Sequence, residues 1–133
     1  MIPELDDRGL LPPGLHPATL AELDRCFGHQ SDLRRIQVQS LTWMIDAARR
    51  AGVQRIVVNG SFVTDVIEPN DVDCLLLLGP TYPVDAVAER EIEQGFPFLE
   101  LQLVDDRGYS FFVKRFFATD RDGVPKGMVE ILL

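Results

Sequence analysis

Two short apolar segments constrain the fold of this chain more than any other feature of its sequence. RIVV (55–58) is rich in β-branched residues, and VDCLLLLG (72–79) is a longer run of similar kind. Runs this short and this apolar are typical of strands that are buried on both faces of a sheet. Because helical segments flank them, the sequence predicts an α/β layer rather than a β-sandwich.

The segment SDLRRIQVQSLTWMIDAARRAG (31–52) carries the strongest helical pattern. Ser31 is a candidate N-cap and Gly52 a candidate end of this helix. We assign Trp43 on this helix to packing. The apolar residues near helical spacing predict the buried face, and they are Leu33, Ile36, Leu41, Met44, Ile45 and Ala48.

The remaining elements complete an alternating order of helices and strands. A short helix is expected from Pro17 or Ala18 towards Phe27, and a further helix in VDAVAEREIEQG. FLELQLVD and GMVEILL are predicted strands. YSFFVKRFFATD is left open between helix and strand, although its phenylalanines at 111, 112, 116 and 117 fit a helical face slightly better.

The length of 133 residues fits one domain, which we take to be 1–133. The opening GLLPPGLHPAT is dense in proline and glycine, so we expect residues 1–17 to form an extended arm outside the core. The two cysteines are distant from each other and lack neighbouring metal ligands, which predicts free thiols.

Composition indicates a soluble globular protein, with 46% apolar and 26% charged residues. No run approaches the roughly 18 apolar residues of a membrane span, and MIPELDDRGL lacks the pattern of a signal peptide. We therefore expect a cytoplasmic protein that does not enter membranes. The net charge of −8 argues against nonspecific nucleic-acid binding, because such binding needs cations to neutralise phosphates.

Two aspartates stand at the mouth of the second apolar run, where packing alone would favour no charge. Alternate residues of a strand share a face, so Asp71 and Asp73 should project together, away from Val72. Two adjacent carboxylates repel unless a cation lies between them. Oxygen ligands of this kind, completed by substrate phosphates, suit Mg²⁺. The pair therefore predicts a magnesium–phosphate site.

Gly60 and Ser61 directly follow the first predicted strand, at the same edge of the sheet. Glycine allows the backbone to approach a phosphate closely, and serine adds an N–H and a hydroxyl donor. Thr64 is a further candidate for phosphate contact, with capping of the loop as the alternative. Residues 59–71 could otherwise form a simple loop that ends in an Asx turn, although a turn explains Asp71 and leaves Asp73 without a partner.

The stretch GSFVTDVIEPNDVD resembles the signature of the DNA polymerase β-like nucleotidyltransferase superfamily. The surrounding order of elements, over about 31–105, is similar to the minimal fold of that superfamily. GLLPPGLHPAT and RDGVPKG also resemble a family of small bacterial proteins of unknown function that carries this core. The resemblance implies that Gly60 and Ser61 hold nucleotide phosphates and that Asp71 and Asp73 bind Mg²⁺.

The superfamily also has a third metal-binding acid, usually an aspartate, on a following strand. Glu100 is the candidate here, with Gln102 on the same face of FLELQLVD. The resemblance then implies a catalytic and metal-binding set of Asp71, Asp73 and Glu100. The fold it implies is a mixed sheet with helices packed on it.

Two functions follow as hypotheses. The first is a transferase that moves a nucleoside monophosphate from a nucleoside triphosphate to a protein or small-molecule acceptor, as in toxin–antitoxin systems. The second is a binding module with a weakened site that acts through contact with a protein partner. Either requires a partner, because no separate acceptor-binding domain follows the core. Lys114, Arg115 and Lys126 could reach a phosphate, but lysines and arginines in such segments are usually solvated.

Overall fold

The computed structural model describes residues 2–116, 119 and 122–133. Its centre is a mixed sheet of five strands in the order β1-β5-β2-β3-β4. The strands are β1 (Gly14–Ala18), β2 (Val53–Asn59), β3 (Val72–Leu78), β4 (Leu99–Val104) and β5 (Gly127–Ile131). The α/β architecture and the mixed sheet agree with the expectation from sequence.

Pairing within the sheet is parallel at its outer positions and antiparallel at its centre. β1 runs parallel to β5 and β3 runs parallel to β4, whereas β2 is antiparallel to both β3 and β5. The N-terminal ends of β3 and β4 therefore lie at the same edge as the C-terminal end of β2. This edge receives the loop that joins β2 to β3.

Helices cover the two faces of the sheet unequally. The helices are α1 (Leu20–Phe27), α2 (Asp32–Ala51), α3 (Ala86–Gln94) and α4 (Asp106–Phe111). Leu23, Met44 and Ile92 of the first three helices share one core with the sheet residues Val58 and Cys74. The opposite face carries a smaller cluster in which Tyr109 of α4 packs on Val57, Leu75, Leu77 and Met128.

The long helix α2 begins and ends as expected but buries a different stripe at its N-terminal half. Ser31 is the N-cap, and Gly52 ends the helix with a left-handed φ of 94°. Ile36, predicted to be buried, has an exposed fraction of 51%, and Leu33 is partly exposed. Arg34 and Gln37 take the buried positions instead. Trp43 is also half-exposed, at 52%, so its assignment to packing was wrong.

The N-terminal segment is extended, but it does not stay outside the core. Residues 14–18 form the edge strand β1, and Leu11 and Ala18 are almost fully buried. Pro17 is compatible with this position, since proline is tolerated in edge strands. The following helix begins later than expected, at Leu20, because Thr19 caps it together with Glu22.

The segment that the sequence left open is helical up to Phe116, whereas Thr119 forms an isolated antiparallel bridge with Pro125. Asp105 caps α4, which continues into a π-helical turn, Phe112–Phe116. Residue 117, one of the four phenylalanines considered for a helical face, lies outside the described residues. Among the described helices, none combines the length and the apolarity that crossing a membrane requires.

Candidate functional site

Four polar side chains come to one face of the sheet at the edge where β3 and β4 begin. Successive side chains along a strand point to opposite faces of the sheet. Val57, Leu75 and Met128 lie on the face covered by α4. The same alternation places four polar residues on that face, and they are Asn59, Asp73, Glu100 and Lys126. Val72 and Cys74 are buried on the opposite face, as the alternation predicts.

Asp73 and Glu100 are neighbours in the parallel pairing of β3 and β4. Burial raises the pKa of the Asp73 carboxyl above its ordinary value, and the charge of Glu100 raises it further. A direct interaction between the two side chains adds to the raised pKa of Asp73. The positive charge of Lys126 acts in the opposite direction and lowers the pKa of Asp73.

Gly60 lies directly against the Asp73 carboxylate. It has a φ of 80°, and a Cβ atom built on it would lie 2.3 Å from Oδ2 of Asp73. A side chain at this position would therefore collide with the carboxylate and would also strain the backbone. The structure thus brings the glycine of the predicted phosphate loop and one predicted metal ligand into contact.

Asp71 lies just before β3 and is exposed, and its charge makes a smaller contribution to the raised pKa of Asp73. Within residues 2–116, 119 and 122–133, no group of three or more His, Cys, Asp or Glu side chains is arranged to hold a metal ion. In this structure, Asp73 and Glu100 therefore form a close pair, and the three acids Asp71, Asp73 and Glu100 do not form a metal-binding group.

Ser61 and Thr64 belong to the turn that follows β2. Residues Gly60–Val63 form a short 3-10 helix, and Ser61 is partly exposed at its start. The Thr64 hydroxyl donates to the Ser61 carbonyl oxygen at 2.6 Å and accepts from the Val66 N–H at 3.3 Å. This geometry is the one expected of the capping alternative for Thr64.

Arg34 of α2 holds the loop between β2 and β3 by hydrogen bonds to its backbone. Its side chain is 1% exposed, and its guanidinium stacks on Phe62 with a distance of 5.0 Å to the ring centroid. Burial lowers its pKa, and the charge of Asp65 opposes this effect. Its N–H groups donate to five backbone carbonyl oxygens, those of Phe27, Ser61, Phe62, Thr64 and Val66.

Two more residues at the start of α2 also donate hydrogen bonds to carbonyl groups of this loop. The Ser31 hydroxyl donates to the Ile67 carbonyl at 2.9 Å, and the Gln37 amide donates to the Pro69 carbonyl at 2.7 Å. The loop between β2 and β3 is therefore anchored to α2 over most of its length. Its backbone shape depends on these polar side chains.

Lys126 is buried at the site and is not the solvated lysine that the sequence led us to expect. It is 8% exposed, and its Nζ donates to Oδ1 of Asn59 at 2.7 Å. Asn59, itself 4% exposed, pairs with Asp73 across β2 and β3. Lys126 and Asn59 are thus the polar neighbours of the acidic pair. Asn59 was not a candidate from sequence, and Lys126 was considered for phosphate contact but assigned to solvent.

Signals for the burial of these polar residues exist in the sequence. Lys126 precedes the apolar run GMVEILL in the same way that Asp71 and Asp73 open VDCLLLL. Arg34 and Gln37 fall at helical spacing with Leu41 and Met44, so they continue the buried stripe of α2. A charge that continues an apolar pattern indicates a buried polar contact.

A comparison with protein families matches residues 3–132 to a family described as "Family of unknown function (DUF6932)". The chain belongs to this family. The match spans every residue of the site in this DUF6932 protein, from Arg34 through Asp73 to Lys126. Comparison with curated proteins and comparison with solved structures give no match.

Proposed function

We propose that this DUF6932 protein is a minimal, magnesium-dependent nucleotidyltransferase of the DNA polymerase β-like type. It would bind a nucleoside triphosphate at the edge formed by β2, β3 and β4. It would then transfer the nucleoside monophosphate to a protein or small-molecule acceptor, in the cytoplasm and as part of a toxin–antitoxin pair. The observation that carries the proposal is the contact of Gly60 with the carboxylate of Asp73. It brings the phosphate loop, which we define as the turn that begins with Gly60 and Ser61, next to the acidic edge, which we define by Asp71, Asp73 and Glu100.

The residues of the edge fit a magnesium ion by their chemistry. Hard divalent cations take carboxylate oxygens, and the acidic edge offers Asp71, Asp73 and Glu100 as donors. The close approach of Asp73 and Glu100 costs free energy while both are ionised, and a cation between them would remove that cost. Magnesium, when bound, would polarise the phosphate oxygens and lower the pKa of an attacking hydroxyl.

The chain itself would contribute binding and orientation. Gly60 lets the backbone of the loop lie directly beside the Asp73 carboxylate, and the partly exposed Ser61 can donate to a phosphate from its N–H and hydroxyl groups. The hydrogen bonds of Arg34 hold the carbonyl groups of this loop away from the phosphate side. The role we give to Thr64 is to cap the loop that carries Ser61.

The second candidate is a binding module of the same fold that acts by protein contact. The raised pKa of Asp73 favours it, because burial and the charge of Glu100 oppose ionisation of this carboxyl group, and a protonated carboxyl group is a weaker metal ligand than an ionised one. The arrangement of the described carboxylates, without a group of three, also favours it. A protein partner is expected for both candidates.

Glu100→Gln separates binding from chemistry. The third acid of the superfamily acts on the attacking hydroxyl, so its loss should harm transfer more than nucleotide binding. We expect Glu100→Gln to keep magnesium–ATP affinity within about tenfold, roughly 1.4 kcal/mol, while losing most labelling of a co-purified partner. Titration calorimetry measures the first quantity and transfer of labelled nucleotide the second. Glu93→Gln, an exposed change on α3, is the matched control.

Three results distinguish the candidates. A wild-type protein that neither binds nor is stabilised by millimolar magnesium–ATP refutes the nucleotide site. Binding without labelling of any partner, while the complex with the partner still forms, favours the binding module. Equal labelling by Glu100→Gln and wild type would show that another residue is the third acid.

A further inference from the structure

Two buried cationic side chains, Arg34 and Lys126, bond to the loop between β2 and β3 or to Asn59 at the end of β2. The donors of Arg34 go to backbone carbonyls on the inner side of the loop, so its charge serves the fold of the loop. Lys126 reaches the sheet edge from the residue before β5 and shares a face with Asp73 and Glu100. Of these two cations, Lys126 is therefore the one on the acidic face.

We propose that Lys126 is a phosphate-binding residue of this site, positioned by the carboxamide of Asn59. The inference rests on the proposed function and names a group of the chain that would contact the nucleotide. A phosphate group, in a nucleoside triphosphate or in pyrophosphate, is the ligand chemistry that an ammonium on this face would take.

The position of Lys126 supports this role. Burying an ammonium group costs free energy, so a buried lysine needs a compensating interaction. The bond to Oδ1 of Asn59, at 2.7 Å, fixes the direction of Nζ. Asn59 immediately precedes Gly60, so the ammonium is held beside the first residue of the phosphate loop.

The charge of the whole chain gives a second reason. With a net charge of −8, the protein repels a triphosphate at long range. A cation held in the site offsets this repulsion where the phosphates would bind. The alternative role for Lys126 is that of an internal counter-ion for Asp73, without any contact to ligand.

The test compares Lys126→Met and Lys126→Arg with Arg49→Met. Arg49 is exposed in the last turn of α2, which ends where β2 begins, at the opposite end of the sheet. Titration calorimetry with magnesium–ATP and with magnesium–pyrophosphate measures affinity. We expect Lys126→Met to weaken both ligands by about tenfold or more, Lys126→Arg to retain most of the affinity, and Arg49→Met to match wild type.

A second measurement on the wild-type protein does not depend on the folding of a variant. The chain has only two lysines, Lys114 and Lys126, so the ¹³Cε signals of labelled lysine can be assigned by one substitution. We expect magnesium–pyrophosphate to shift the Lys126 signal beyond the shift that Mg²⁺ alone produces. A signal that responds to Mg²⁺ but not further to pyrophosphate contradicts the phosphate contact.

The two proposals fail in different ways. If wild type binds both ligands and Lys126→Met binds them within about twofold of wild type, Lys126 is a counter-ion only, and the nucleotide site stands. If wild type binds neither ligand, the nucleotide site and the role of Lys126 are both wrong.

Discussion

The pKa of Asp73 is changed in opposite directions by its surroundings in the folded protein. Burial and the neighbouring Glu100 raise its pKa, whereas the ammonium of Lys126 lowers it. Its carboxylate also fills the space beside Gly60. The folded protein therefore holds an acidic group in surroundings that disfavour its charge, and this leads to a measurable dependence of stability on pH.

Asp73→Asn should stabilise the metal-free protein increasingly as the pH rises. Because the folded pKa of Asp73 is raised, its contribution to stability is fully present below the unfolded pKa, about 3.9, and is lost as the pH rises through the folded value. Asp73→Asn has no carboxyl group to ionise at this position, so its stability does not fall in this way. Urea unfolding in EDTA, from pH 4 to pH 8, measures the free energy of unfolding. The exposed Asp7→Asn is the control, and a difference between Asp73→Asn and wild type that stays constant with pH contradicts the prediction.

Gly60→Ala and Gly95→Ala form a pair of substitutions at nearly the same positive φ. The φ values are 80° and 81°, but a Cβ atom at Gly95 meets nothing within 4 Å. Gly95→Ala should cost about 1–3 kcal/mol of stability from backbone strain alone, because φ 81° with ψ 179° is a conformation that is essentially restricted to glycine. Gly60→Ala should cost more, since it also displaces Asp73, and it should abolish stabilisation by magnesium–ATP. Thermal melts with and without ligand measure both effects, and equal costs would contradict the contact between Gly60 and Asp73.

At the scale of elements, α2 does more than fill the core. Its N-cap Ser31 and the residues Arg34 and Gln37 of its first two turns hold the loop between β2 and β3 through backbone carbonyls. Since the loop bonds to α2 through polar side chains, the conformation of residues 61–69 depends on the helix. Loss of these side chains should therefore affect the loop before it affects the sheet.

Arg34→Met should destabilise the protein by about 3 kcal/mol or more, because several buried carbonyl groups lose their donor. It should also increase hydrogen exchange at the amides of residues 64–66. The adjacent Arg35→Met removes the same charge from a side chain that is 62% exposed, and we expect a change within about 0.5 kcal/mol. Urea unfolding and amide exchange measure the two effects. Unchanged exchange at residues 64–66 in Arg34→Met would show that the loop holds its shape without the guanidinium.

The elements were predictable where local chemistry determines them and unpredictable where distant residues do. Ser31, Gly52 and the alternation around Asp73 act through their immediate neighbours, so α2 and β3 could be located from sequence. The edge strand β1 could not, because residues 14–18 pair with β5 at the other end of the chain. The burial of Lys126 was not predicted for the same reason, since its partner Asn59 lies 67 positions earlier.

At the scale of the whole molecule, the two faces of the sheet serve different purposes. The face that packs on α1, α2 and α3 holds the larger core and leaves few polar groups at the sheet surface. The other face has a smaller core beneath α4, and the polar residues Asn59, Asp73, Glu100 and Lys126 occupy its edge. Among the described residues, the candidate site therefore lies on the face of the sheet that has the smaller apolar cluster.

The position of β5 between β1 and β2 has a consequence for synthesis of the protein. Ribosomes make residues 127–131 long after β2 and β3, yet these residues occupy an interior place in the sheet. Until they emerge, β1 has no strand to pair with, and β2 presents an open edge that can pair with other chains. A nascent chain arrested before β5 should consequently remain dependent on chaperones, and Lys126 would join Asn59 only in the last step of folding.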